Sequence, residues 1–260
     1  MKYIAFTFDD GRADNYLLAK RIMDQYQFRG TIYVTTGFID GTWEGKAVLK
    51  APTRPLKVTE IKELDDAGWE IGLHGDKHQT QTDDMRIALD KLKSWGIEKG
   101  NWGISIPNSN TDETEIETIF ASEYGNKITY IRRGRKCDTS MLKNKVLYVL
   151  YSVLKFKWAY RQFNFDNILA FDSIDKSNIP SVVVKSKDDP KLIIDFVKHI
   201  PDNSVVVLML HSILPSSHPM CGKDPWSWEE ARFNELCSEF KAMTAKGELK
   251  VLPLIEQLKG

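Results

Sequence analysis

Short apolar runs alternate along this chain with longer segments in which apolar residues recur at helical spacing. Runs rich in β-branched and aromatic residues predict buried strands, and the i, i+3, i+4 recurrence predicts amphipathic helices. The predicted strands cover residues 3–8, 31–35, 69–73, 102–106, 128–131, 182–185, 205–210 and 250–252. The predicted helices cover residues 13–26, 60–67, 83–95, 113–124, 190–200 and 228–246, the last opened by a capping box of Ser227 and Glu230.

This alternation determines the expected fold class. Strands joined by helices imply right-handed crossovers and a parallel sheet, so we predict an α/β fold, a distorted (β/α) barrel of about seven strands. The 260 residues suit one domain, 1–260, with a basic and apolar helical insertion at about 132–180. Residues 37–55, rich in Gly, Pro and Thr, predict a long loop over one mouth of the barrel.

Composition narrows the function classes. Lys+Arg and Asp+Glu each number 36, which argues against a nucleic-acid partner. The three cysteines are scattered and lack Cys-x-x-Cys spacing, so neither a disulfide framework nor a structural zinc site is expected. The first apolar stretch ends at Asp9, too short for a secretory signal, and no run reaches the ~18 apolar residues of a membrane span. The sequence as written predicts a cytoplasmic protein.

Polar residues with catalytic potential follow several predicted strands. Asp9 and Asp10 follow the first strand, His74 follows residues 69–73, and His211 follows residues 205–210. Because the carboxyl ends of parallel strands meet at one rim of a barrel, we expect these side chains to converge. Packing alone gives no reason to place imidazoles there.

Each of these motifs also has an ordinary structural explanation. The adjacent carboxylates of Asp9 and Asp10 repel each other, and a cation bound to one of them would relieve this repulsion and leave the other free to act as a base. The alternative is that the two residues form a solvated Asp-Gly turn. His74 and His78 are four residues apart, and on one helical turn their rings would lie at a separation suited to binding one metal ion. The alternative is that they are two surface histidines without a ligand. His211 is either a site residue or a buried neutral histidine. Two imidazoles and one carboxylate suit a hydrolytic metal site, with zinc as the default and cobalt, nickel, manganese or iron as alternatives.

The ordered set resembles the polysaccharide deacetylases, carbohydrate esterases with a NodB-homology domain. The run Thr7-Phe8-Asp9-Asp10-Gly11 is similar to the first motif of that family, and His74-x-x-x-His78 to the second, with Gly75 where Ser or Thr is usual. Residues 208–211 resemble the last motif. The resemblance extends over residues 3–255 and implies a hydrolase that removes the N-acetyl group from an amino sugar.

The resemblance also implies roles for individual residues. Asp10, His74 and His78 would hold a divalent metal, Asp9 would accept the proton of the attacking water, and His211 would protonate the leaving amine.

Two motifs depart from the family pattern. Its third motif, Arg-x-Pro-Tyr, is best matched by Ser105-Ile106-Pro107-Asn108, in which Pro107 fits and the Asn108 N–H can serve the oxyanion. The arginine that orients the base is absent. Arg132, Arg133 or Arg135, after the next strand, could supply that charge, and we favour Arg132 or Arg133. The fourth motif has no clear match; Asp172 and Asp175 are its only candidates.

The insertion has an unusual composition. Between residues 132 and 161 the chain carries nine Lys/Arg and one acid, and residues 141–158 are apolar at nearly every helical position, with aromatic residues interspersed. Such a segment can lie on an anionic membrane surface, which would suit a lipid-linked or nucleotide-linked sugar as substrate. The alternative is an outer barrel helix with a solvated basic face.

Other functions remain open from the sequence. The same metal site could hydrolyse a related C–N amide or deformylate a small or lipid-linked substrate. Ser105 in place of arginine also allows a catalytically silent relative that only binds a glycan. Trp43, Trp226 and Trp228, in or near predicted mouth loops, are either sugar-stacking or packing residues.

Overall fold

The computed structural model describes residues 1–44, 53–109, 113–136 and 140–258. Residues 45–52 of the predicted mouth loop and Cys137 lie outside this part of the chain. The strands are β1 (Lys2–Phe8), β2 (Thr31–Val34), β3 (Glu70–Leu73), β4 (Trp102–Ser105), β5 (Ile128–Arg132), β6 (Leu169–Ala170), β7 (Val182–Val183), β8 (Ser204–Leu210), β9 (Ser212–Leu214), β10 (Ser227–Glu229) and β11 (Leu249–Val251).

Helices connect most of these strands. They are α1 (Arg21–Gln25), which continues a π-helical segment Asn15–Lys20, α2 (Thr36–Asp40), α3 (Val58–Asp66), α4 (Thr82–Ser94), α5 (Glu113–Ala121), α6 (Leu142–Ser152), α7 (Lys157–Asn164), α8 (Pro190–His199), α9 (Glu230–Ala245) and α10 (Leu254–Gln257). Among the described residues, no helix has the length and apolar composition needed to cross a membrane.

The main sheet is parallel and curls on itself. Its order is β5-β4-β3-β2-β1-β8, with β7 parallel to β8, β11 beside the start of β1, and only β6 antiparallel to its neighbour. Backbone hydrogen bonds from Ile179 N to Ile131 O (2.9 Å) and from Ser181 N to Gly134 O (3.1 Å) join β5 to the segment leading into β7. The sheet thus forms the predicted α/β barrel of about seven strands, which confirms that fold class.

Alternation along the strands determines what lies inside the barrel. Ile4, Phe6 and Phe8 of β1 belong to the large core under the helices, whereas Ala5 packs with Tyr33 and Tyr130 in the interior cluster. Successive strand residues face opposite sides, so Thr7 and Asp9 continue the interior face of β1, Ser105 that of β4, and Arg132 that of β5. The tyrosine ring needs space on the neighbouring strand: a Cβ on Gly103 would lie 2.2 Å from Tyr130 Cζ.

Two predicted elements differ from the structure. The Ser227 hydroxyl donates to Met220 O (3.2 Å) and Asp224 O (2.9 Å) within β10, so it caps no helix, and α9 begins only at Glu230. The expected capping box is therefore wrong. The apolar stretch 141–158 forms two helices, α6 and the start of α7, and its backbone turns at Lys155, whose φ is +58°.

Candidate active site

Three predicted metal ligands converge at the carboxyl rim of the barrel. Nε2 of His74 lies 3.5 Å from Asp10 Oδ1, and Nε2 of His78 lies 3.6 Å from the same oxygen. One ligand atom from each residue can be chosen so that all lie within 4.8 Å of one another, and all three side chains are buried. Asp10 Oδ1 is buried and accepts no hydrogen bond from the described residues.

A second contact orients the first imidazole. Nδ1 of His74 lies 2.8 Å from the Ser105 carbonyl oxygen. A carbonyl only accepts, so Nδ1 carries the proton and Nε2 points towards Asp10 with its lone pair free. Metal-binding histidines commonly have such a backbone partner. The buried carboxylate oxygen without a donor and the oriented imidazoles therefore fit a divalent cation.

The second imidazole is placed by a loop, and the predicted helical turn is wrong. Residues 74–81 are not helical, and Asp84 at the start of α4 accepts from the backbone N–H groups of Asp76 (2.8 Å), Lys77 (3.0 Å) and Gln79 (3.2 Å). Gly75 has φ +77°, and a Cβ there would lie 2.4 Å from Asp84 Oδ2. This contact explains why glycine stands at a position where the family usually has Ser or Thr.

Backbone strain concentrates at this rim. Among the described residues, six other than glycine have positive φ, and three of them are Asp10 (78°), His78 (56°) and Asn108 (56°). Such a conformation costs on the order of 1–3 kcal/mol per residue and persists where surrounding structure enforces it. Its clustering here points to function at this rim.

The second carboxylate, Asp9, is held by an arginine from β5. Nη2 of Arg132 lies 2.5 Å from both Asp9 oxygens and also contacts the Ser105 hydroxyl. Arg132 is fully buried and Asp9 is 3% exposed. Because Ser105 and Arg132 are register partners on β4 and β5, the guanidinium reaches Asp9 from one strand beyond the position of the family's arginine. Arg133 instead pairs with Glu113 (3.0 Å).

A polar column continues from this ion pair into the barrel. The Arg132 guanidinium lies 5.1 Å from the centre of the Tyr33 ring, whose hydroxyl is 2.6 Å from that of Tyr130. Tyr130 donates to Glu70 Oε1 at 2.6 Å. Burial raises the pKa of Glu70, although three donors, including the Thr31 hydroxyl, partly offset the shift. The column fixes Arg132 from below.

His211 forms the opposite wall. Its backbone oxygen accepts from Asn15 Nδ2 (2.6 Å), and its ring lies 4.6 Å from that of Trp226. Nδ1 is buried without a hydrogen-bond partner among the described residues. The predicted supporting candidates Asp172 and Asp175 are exposed, and Asp175 caps Ser177 instead.

The charged groups shift one another's protonation. Burial alone would raise the pKa of both aspartates, but Arg132 holds the pKa of Asp9 below its usual range, and the His74 and His211 rings do the same for Asp10. Burial would lower the pKa of His74, yet Asp10 and Asp9 raise it. Burial and the nearby His74 lower the pKa of His78 to about 4, and burial also lowers that of His211.

The two aspartates and three histidines of this site line one pocket of about 160 Å³. Ile106 and Asn108 line it, while Pro107 between them is buried and has no N–H to donate. Sequence reasoning missed Arg12, which directly follows the motif at residues 7–11, and Asp224, whose loop carries no recognisable motif. Of the three tryptophans considered, Trp226 lines the pocket, Trp43 stacks on His78 with ring centres 5.9 Å apart, and Trp228 is buried packing.

Known structures share the fold. A family 4 acetyl xylan esterase from Clostridium thermocellum, in complex with cobalt, is 15% identical over 99% of this chain and 90% of its own, with a TM-score of 0.50. The peptidoglycan deacetylase PdaC from Bacillus subtilis is 11% identical over the same shares, also at 0.50. The Streptococcus pyogenes deacetylase PplD, in complex with acetate, is 20% identical over 50% of this chain, with a TM-score of 0.41, and the match spans about half, 55%, of its length.

Sequence comparison finds a family match in the first part of the chain. No curated protein sequence matches the chain. A profile described as polysaccharide deacetylase matches residues 1–125, the part that supplies Asp9, Asp10, His74 and His78. Residues 1–125 therefore match the polysaccharide deacetylase family, and the chain as a whole shares the fold of solved structures described as an acetyl xylan esterase and a peptidoglycan deacetylase.

Proposed function

We propose that this protein is a metal-dependent N-deacetylase of an amino-sugar substrate. The observation that carries the proposal is the convergence of Asp10, His74 and His78 beside the buried Asp9–Arg132 pair in one pocket. A site of two imidazoles and one carboxylate leaves positions open for water and substrate. Zinc is the expected ion, with cobalt, nickel, manganese or iron as alternatives.

The residues of the chain supply the remaining chemistry. Asp10, His74 and His78 would hold a divalent cation, which would supply Lewis acidity to polarise a carbonyl and to make water more acidic. Asp9 accepts the proton as water attacks the amide carbon, and Arg132 keeps that carboxylate ionised and oriented. The Asn108 N–H donates to the oxyanion. His211 protonates the nitrogen as the C–N bond breaks. Acetate and a free amine leave.

The test begins with the metal content of the purified protein. We expect about one equivalent of a divalent ion in wild type and loss of it in Asp10→Asn, with Asp172→Asn, an exposed carboxylate, as the matched control. If wild type binds none of the divalent metals tested, the proposal is wrong.

Turnover is measured separately. We expect acetate release from N-acetylated amino-sugar oligomers, abolished by chelation and reduced about 10²- to 10⁴-fold in Asp9→Asn. Parallel assays use O-acetylated xylan, N-formylated amino sugars and small cyclic amides. Release from one of these alone would replace N-deacetylation with that activity, and an unchanged rate in Asp9→Asn would remove Asp9 from the chemistry.

A further inference from the structure

The insertion after β5 exposes most of the large apolar side chains on the described surface. Thirteen such side chains are exposed, and ten of them lie between residues 141 and 165. Contiguous apolar patches of this kind mark interaction surfaces in soluble proteins. We use the name docking face for its exposed members on α6 and the turn into α7: Met141, Leu142, Val146, Tyr148, Val149, Val153, Leu154, Phe156 and Trp158.

Helix α6 has two apolar stripes on opposite sides. Leu147 and Tyr151 are buried against the barrel, at 6% and 1% exposure. Leu142, Val146 and Val149, spaced i, i+4 and i+7, share the outward side and are 76%, 49% and 52% exposed. A surface helix normally turns polar residues to solvent. The outward stripe therefore lacks the apolar environment that its composition fits.

Charge around the docking face selects the partner. Residues 140–165 contain five Lys/Arg and no Asp or Glu. At 100° per residue, Lys143 and Lys145 lie on either side of the outward stripe, and Lys155 and Lys157 surround Phe156. An apolar helix face with a basic rim matches an anionic bilayer. A second copy of the chain would instead bring like charges together.

A basic cavity lies beside the docking face. It has a volume of about 370 Å³, and Arg135, Lys145 and Lys185 are among its lining residues. Arg135 donates to Val183 O (3.2 Å) and lies over the Phe163 ring, 4.4 Å from its centre. Lys185 Nζ lies 5.1 Å from the centre of the Trp226 ring, which packs on His211. Lys185 and Trp226 thus form a series of contacts from the cavity to His211.

We propose that the docking face binds an anionic phospholipid bilayer. Resting on the proposed function, the substrate is then an N-acetylated sugar joined through phosphate to a membrane lipid. Its phosphate lies among Arg135, Lys145 and Lys185, and its sugar reaches past Trp226 into the catalytic pocket.

Vesicle co-sedimentation tests the docking face. We expect wild type to bind phosphatidylcholine vesicles that contain phosphatidylglycerol and not to bind vesicles of phosphatidylcholine alone. Changing Lys143, Lys145, Lys155 and Lys157 to Gln lowers the partition coefficient at least about a hundredfold. The matched control changes the same number of exposed lysines elsewhere, Lys62, Lys191, Lys223 and Lys246, and keeps binding within about threefold of wild type. Val146, Val149 and Val153 changed together to Ser also abolish binding.

Several outcomes overturn the proposal. These are no wild-type binding to either vesicle, equal loss in the two lysine variants, or full binding by the serine variant. Sedimentation velocity provides a further test. If wild type does not bind vesicles but forms a dimer, and the serine variant is monomeric, the docking face is a self-association surface instead.

The substrate class is tested apart from docking. Vesicle binding needs no turnover, so Asp9→Asn still binds and a failure of the proposed function leaves the docking result intact. We expect kcat/KM at least about tenfold higher for a lipid-phosphate-linked N-acetylated sugar in these vesicles than for the same sugar phosphate without lipid. Equal values, or no hydrolysis of the lipid-linked sugar, reject the substrate class.

Discussion

Replacing Arg132 by Met breaks the ion pair that holds the proposed base. Both partners are buried, and the guanidinium nitrogen lies 2.5 Å from each Asp9 oxygen. Removing one partner of such a pair leaves an uncompensated charge, which costs about 3–5 kcal/mol of unfolding free energy. A base that is no longer ionised and oriented lowers kcat by about 10²- to 10⁴-fold. The metal ligands make no contact with Arg132 among the interactions described above, so metal content should stay unchanged.

Two further variants isolate the cause. Arg133→Met loses a pair with Glu113, whose side chain is 68% exposed, and should change stability by less than about 1 kcal/mol. The exchange Ser105→Arg with Arg132→Ser returns an arginine to the neighbouring strand, where the family has it, and should recover at least about tenfold of the lost kcat. Urea denaturation, metal analysis and deacetylation kinetics measure the three effects. The reasoning fails if Arg132→Met turns over within about threefold of wild type, or if a folded, metal-loaded exchange variant recovers nothing.

Three other predictions concern stability and the metal loop. Burial raises the pKa of Asp188 to about 6, so the folded chain retains a proton that the unfolded chain releases, and the unfolding free energy of wild type falls as pH rises from about 4 to 6. The unfolding free energy of Asp188→Asn should exceed that of wild type by up to about 3 kcal/mol above pH 6 and match it below pH 4. A difference that stays constant with pH in urea titrations would contradict this. Gly75→Ser should weaken metal binding, measured by calorimetry, at least about tenfold, because the added Cβ would meet the Asp84 carboxylate. Gly41→Ser, at φ +79° with open space around it, should leave metal binding unchanged. Equal losses in the two variants would show that the clash with Asp84 is not the cause. Tyr130→Phe removes the hydroxyl that lies between Tyr33 and Glu70, and it should lower the unfolding free energy by about 1–3 kcal/mol in urea titrations. An unchanged value would mean that this polar column contributes no stability.

The rim of the barrel was predictable because its signal is local. Asp9, His74 and His211 each follow a buried apolar run, and parallel strands place such positions together. The Arg132 contact with Asp9 follows from the same rule, since it ends the next strand and shares the interior face with Tyr130. Period-two alternation along the strands therefore accounts for the meeting of Asp9, the proposed base, with Arg132.

The parts that were missed depend on contacts distant in sequence or on backbone conformation. The spacing of His74 and His78 is compatible with a helix, but Asp84 in the following helix captures the intervening N–H groups and fixes a loop. Ser227 has the sequence of a cap, yet pairing of β10 with β9 uses that residue in a strand. Neither competitor is visible within a short window of sequence.

Residue 105 takes part in both halves of the proposed catalytic centre through chemically independent groups. Its main-chain oxygen orients the His74 imidazole, and its hydroxyl meets the guanidinium beside Asp9. Every amino acid supplies the former, so the side chain at this position is free to vary without disturbing the metal ligands. An ancestral arginine could thus be exchanged for one on the adjacent strand through sequences that keep their cation throughout, which makes relocation of the base's partner an accessible evolutionary step.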